Sequence, residues 1–155
     1  TLDVKNPIEL AKQATINELN KACEAAIVGG FDINLESGEV KHIDLTLQDQ
    51  INMLAITSQM AVLPKETYTF HFKGEADSLI SDAVMKSIIF RSNNWKNYYL
   101  SYFNALKNYV NSLSDISKIA EVKFGMEIPA AFCSPSYLEA KELFDHDIGR
   151  VLVNE

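Results

Sequence analysis

The sequence has 155 residues, 47% of them hydrophobic and 23% charged, which excludes a largely disordered chain. Twenty-one acidic residues against fourteen basic ones leave a net charge of −7, and the Lys and Arg residues are scattered without a run of three. That pattern lacks the basic footprint that releases counterions from phosphate, so no direct nucleic-acid partner is expected.

The first helix is marked by Asn6 as cap, Pro7 at the first helical position and Glu9 in a capping-box-like spacing. Ile8, Ala11, Thr15, Leu19, Ala22 and Ala26 recur every three or four residues and give it one apolar face. Gly29 and Gly30 offer its stop. Phe31, Ile33 and Leu35 alternate with Asp32, Asn34 and Glu36, the period of a half-buried strand. Ser37-Gly38 turns the chain, and Val40 to Leu45 returns with Ile43 and Leu45 on one face.

Thr46 with Asp49 three positions on starts a second helix, which ends near Pro64. Its stretch from Ile51 to Leu63 is the longest mainly apolar one, too short and too polar for a membrane span of about 20 residues. Tyr68, Phe70 and Phe72 alternate with Thr69 and His71, and the spacing predicts a third antiparallel strand beside the hairpin.

The longest predicted element starts near Asp77 and runs toward Leu113. Trp95, Tyr99, Tyr102, Leu106, Tyr109 and Leu113 follow steps of four and three, a heptad seam lasting about three repeats. A helix of that length would run about 55 Å, against a diameter of roughly 40 Å for a compact chain of this size. It must therefore break, with Asn93-Asn94 the weak point, or project and be covered by another helix or a neighbour. A shorter helix from Ser114 follows. Ser134-Pro135 caps another through about Phe144, and Arg150 to Val153 reads as a short strand.

Candidate chemistry is sparse. Asp32, Asn34 and Glu36 resemble the alternate oxygen ligands of a calcium loop, but Ser37 and Ile43 stand where that loop needs Gly and Glu. A solvated strand face is the expectation. His42 and His71 lie on different predicted strands that could bring them face to face across a sheet, yet no CxxC or HxxxH spacing completes a zinc site. Asp145-His146-Asp147 pairs an imidazole with carboxylates but has no partner nucleophile motif, and reads as a polar turn. GxSxG, GxxxxGK[ST] and GxGxxG are all missing. Cys23, on an apolar helical face, and Cys133, in a late loop, read as free buried thiols of a reducing compartment. No charged-then-apolar signal pattern opens the sequence. No catalytic residue, metal or cofactor is expected.

The order of elements and residues resembles an uncharacterised domain of phage and prophage tail, baseplate and tail-fibre-associated proteins. The resemblance rests on Cys23, Gly30-Phe31, Gly38, His42, Leu45, Asp49-Gln50, Asn52, Tyr99, Leu106, Tyr109, Asn111, Phe124-Gly125 and Pro129, and covers roughly residues 15 to 129. It implies a virion structural part, assembled in the host bacterial cytoplasm, and brings no catalytic residues with it.

The expected fold is α+β: a small antiparallel sheet (hairpin plus third strand) packed with three to four helices, one of them long. Residues 1–129 form the domain, and 130–155 a C-terminal extension available for docking. The expected partners are other virion proteins in a homo-oligomer or symmetric ring, without membrane contact. The expected partner interface is Trp95, Tyr99, Tyr102, Leu106, Tyr109 and Leu113 on the long helix, with Val151, Leu152 and Val153 adding a strand to a neighbour. The alternative functions are a tail-fibre assembly chaperone and, less favoured, a metal-dependent enzyme using His42 and His71.

Overall fold

The computed structural model describes residues 6–148 and 150–152. In chain order it contains helix α1 (Pro7–Gly29), strands β1 (Phe31–Leu35) and β2 (Val40–Ile43), helix α2 (Leu47–Val62), strands β3 (Thr67–His71) and β4 (Asp77–Ser81), and helix α3 (Asp82–Ser112). Helix α4 (Ile116–Glu121), a 3-10 turn (Ala130–Phe132), helix α5 (Pro135–Asp147) and strand β5 (Val151–Leu152) complete it. The architecture is α+β, with small sheets among helices of which one is long.

Local chemistry sets the helix ends. Asn6 Oδ1 accepts from the Ile8 amide at 3.0 Å, and Pro7, which has no amide to satisfy, starts α1. Thr46 and Asp49 form a reciprocal capping box at α2: the Asp49 amide donates to Thr46 Oγ1, and the Thr46 amide donates to Asp49 Oδ2. Ser81, Asp115 and Ser134 cap α3, α4 and α5, each side chain accepting from one first-turn amide.

The third strand of the hairpin sheet is not the one expected. The sheet order is β2-β1-β5, with β5 running parallel to β1 (Asn34 opposite Val151, Leu35 opposite Leu152). The Tyr68–Phe72 alternation instead pairs antiparallel with β4 as a separate ladder, Tyr68 opposite Ile80 and Phe70 opposite Ser78. His42 and His71 therefore lie on different ladders. The two ladders meet where the Lys73 amide donates to the His42 carbonyl. Because residues 77–81 belong to β4, the long helix begins only at Asp82.

Helix α3 has 31 residues and continues through Asn93-Asn94, a length of about 46 Å. It neither breaks nor projects, because it serves two cores placed side by side. Val84, Met85 and Ile88 pack with Ile33, Ile43, Leu45, Phe72 and Leu152 of the sheets. Tyr102, Leu106 and Val110 pack with Leu19 of α1, Ile119 of α4, Ile128 and Tyr137 of α5. Full burial of each such aliphatic side chain contributes about 1.5–3 kcal/mol. Residues 130–155 were expected as an extension. The described part is built into the body instead: Tyr137 lies in the second core and Leu152 in the first.

Candidate functional site

The expected interface seam on α3 faces inward. Tyr102 and Leu106 are buried, and Trp95, Tyr99, Tyr109 and Leu113 are half-buried against the same chain. Trp95 Nε1 donates to the Ala26 carbonyl of α1 at 3.1 Å, and its ring lies 5.5 Å from Phe31 and 5.3 Å from Phe144 between centroids. Tyr109 meets Phe132 at 5.4 Å. The heptad pattern was real, but α1 and α5 supply the cover, so it is no free partner surface. Leu152 is likewise buried and β5 adds to its own sheet, while Val151 is exposed; Val153 lies outside the described residues.

Burial raises Tyr98, Tyr99 and Tyr102 above the ordinary phenol value, and Tyr137 is pushed up to about 12 by burial and then by Tyr98. Cys23 Sγ contacts the Tyr99 carbonyl at 3.4 Å, and burial raises that thiol, the environment of an unreactive cysteine. Both cysteines are free; Cys23 is buried and Cys133 half-buried.

A cavity of about 450 Å³ opens where the end of β1 meets the middle of α3 and the end of α5. Phe31, Trp95 and Phe144 form its aromatic wall, and Val40 and Ile148 flank it. Its polar groups come in pairs. On the sheet side, His42 Nδ1 lies 2.7 Å from Asp32 Oδ1 and its Nε2 2.7 Å from the Gly29 carbonyl, with Asp44 Oδ1 at 3.3 Å. With acceptors at both nitrogens the ring favours its protonated form, and the His42 pKa rises, led by the Asp32 hydrogen bond.

On the helix side, Arg91 and Asn94 are 7% and 6% exposed. Asn94 Nδ2 donates to Asp147 Oδ2 at 2.8 Å, and Arg91 Nη2 donates to the Arg150 carbonyl at 2.7 Å. These bonds tie α3 to the α5–β5 connection. They also explain why Asn94 does not break the helix: its amide is satisfied across the fold rather than by its own backbone. Burial lowers the Arg91 pKa, opposed by the nearby Asp147. Neither Arg91 nor Asn94 belongs to a sequence motif. Their only sequence signal is a charged and an amide residue next to Trp95 on a strongly periodic helix.

The other exposed feature is α2. Met53 is its one buried residue, with Ile56 and Met60 partly buried against the first core. Its opposite stripe is apolar and uncovered, Leu47 71%, Leu54 66% and Val62 85% exposed, with Ile51 between them. Asp49 is the helix's single charged residue, and the capping box engages it. A groove of about 360 Å³ runs between this stripe and Ile89 and Lys96 of α3.

Among the described residues, no group of three or more His, Cys, Asp and Glu is placed to hold a metal ion, and no helix is long and apolar enough to cross a membrane. His71 pairs with Asp77 at 3.3 Å at the surface, and exposed His146 lies 3.6 Å from the largely buried Asp147. Compared with known proteins, the chain matches the model of a family described as a domain of unknown function (DUF4376) over residues 10–122. That stretch runs from within the first turn of α1 through α4; α5 and β5 lie beyond it. No curated protein and no solved structure matches the chain.

Proposed function

We propose that this chain, which belongs to the DUF4376 family, is a structural component of a phage particle, in its tail, baseplate or collar, acting through protein–protein contacts. The phage assignment rests on the sequence resemblance. The observation that carries the contact role is the uncovered apolar stripe of α2. A helix with Leu47, Leu54 and Val62 mostly in water costs hydration free energy unless something covers it.

The occupant we assign to that stripe is a neighbouring copy of the same chain. At a net charge of −7, copies repel over most of their surface. On α2 the lone carboxylate sits at the helix start within its capping box, leaving the stripe free of like-charge repulsion. The interface expected on the α3 seam thus moves to α2.

Two measurements test this. Light scattering of the purified protein at rising concentration is expected to show association that the double variant Leu47→Glu, Leu54→Glu abolishes. Strictly monomeric behaviour of the native chain would remove the oligomer. Mass spectrometry of purified particles is expected to find the chain in stoichiometric amount. Its absence from particles would replace this role with that of an assembly chaperone.

A further inference from the structure

Arg91 carries a charge where water barely reaches. It is 7% exposed, and among the described residues its hydrogen bond runs to a backbone carbonyl, that of Arg150, rather than to a carboxylate. Asp147 is close enough to act on it electrostatically, but its Oδ2 is engaged by Asn94. Asp32 is engaged by His42. A buried guanidinium whose nearby carboxylate, Asp147, offsets its charge without a direct hydrogen bond among the described residues is costly, and it borders an aromatic-walled cavity of about 450 Å³. That volume falls in the range of small-ligand pockets, in which apolar walls and a few polar groups together fix a ligand.

We propose that this cavity binds a carboxylate carried on an aromatic or other flat apolar body, the anion at Arg91 and the body against Trp95, Phe31 and Phe144. The guanidinium offers a planar fork of donors that suits a carboxylate's two oxygens. Among the described residues, the cavity carboxylate Asp32 bonds His42 and Asp147 bonds Asn94, and Arg91 donates to a backbone carbonyl instead. The same chemistry has two sources, a free aromatic acid or the terminal carboxylate of a protein chain ending in Phe. This proposal is independent of the α2 contact, since the cavity and the stripe lie on different elements.

Trp95 lines the cavity and is the sole tryptophan of the chain, so its emission reports occupancy directly. Titration with 3-phenylpropionate is expected to give a saturable change, with its neutral amide binding about tenfold or more weaker, the usual size of a charge-assisted hydrogen bond. Arg91→Gln, checked for native circular dichroism, is expected to erase the difference between acid and amide. Val40→Glu, at an exposed position on the cavity rim, is a second variant that does not disturb the core. It is expected to weaken the acid more than the amide. A parallel titration with acetyl-Gly-Gly-Phe bearing a free carboxylate separates the sources: the tighter of the two probes identifies which the site takes. Equal binding of acid and amide, insensitivity of the acid to Val40→Glu, or no saturable response to either acidic probe up to about 10 mM, a concentration weaker than any ordinary specific site, overturns the proposal.

Discussion

Replacing Gly30 by alanine, set against the same change at its neighbour Gly29, isolates one backbone constraint of this fold. Gly30 caps α1 with φ 68° and ψ −159°, a region essentially reserved for glycine. A β-carbon there would stand 1.7 Å from the Ile43 carbonyl oxygen and 2.9 Å from the Asp44 α-carbon. Those atoms are backbone of β2 and its exit, so no side chain can rotate away. Gly30→Ala therefore combines a strained dihedral, about 1–3 kcal/mol, with displacement of the strand that holds Ile43 in the core. The expected loss is about 3 kcal/mol or more.

Gly29 is the last residue of α1, and a β-carbon there meets nothing within 4 Å. Gly29→Ala is expected to be neutral or to stabilise by up to about 1 kcal/mol, from helix propensity and a less flexible unfolded chain. Urea unfolding followed by Trp95 emission reads both. With a slope of about 1.5 kcal/mol per M, the two midpoints are expected to lie roughly 2 M apart. A separation under about 0.5 M refutes the steric account of the α1–β1 junction.

Tyr102 donates its hydroxyl proton to the Met126 carbonyl and accepts the Gly125 amide at 2.9 Å, fixing the turn after α4 onto α3. Tyr102→Phe is expected to cost about 1–3 kcal/mol by removing both part-buried hydrogen bonds, measured as a midpoint shift. The folded-state pKa of His42 is raised, chiefly by Asp32, so its stabilisation is full below the unfolded value of about 6.5 and is lost as pH rises through the folded pKa. The urea midpoint is expected to fall between pH 6 and pH 8.5 more steeply in the native chain than in Asp32→Asn. Cys133, being half-buried, is expected to react with a thiol reagent in the folded protein well before Cys23, whose labelling should track global unfolding.

The elements most legible in the sequence are those whose signals are local. Asn6-Pro7, Thr46 with Asp49, and Ser134-Pro135 each announce a helix start that a side chain then makes. The Ser37-Gly38 turn likewise lies between two strands that pair as expected. Pairing between distant segments was not legible. Asp77 to Ser81 has little β-branched or aromatic content to mark β4, and its helix-like phase with Val84 and Ile88 hid the strand. The α3 seam showed that the helix has a buried stripe, but periodicity carries no information on whose residues do the burying. The cavity was invisible for a related reason: Asn94 and Asp147 stand 53 positions apart, and nothing in either neighbourhood anticipates their bond.

The placement of β5 has a consequence for how the chain comes to be made. During synthesis α1, the β1–β2 hairpin and α3 leave the ribosome while β1 still has one open edge, because its parallel neighbour is encoded near residue 151. Until then Leu152 is missing from the first core and the α5 wall is missing from the second. A nascent or truncated chain ending near residue 130 would carry an unpaired strand edge beside uncovered aromatic rings, the kind of surface that chaperones bind and that drives aggregation. Helix α5 and the two-residue strand β5 thus act as the latch of the fold, closing it only when synthesis has passed them.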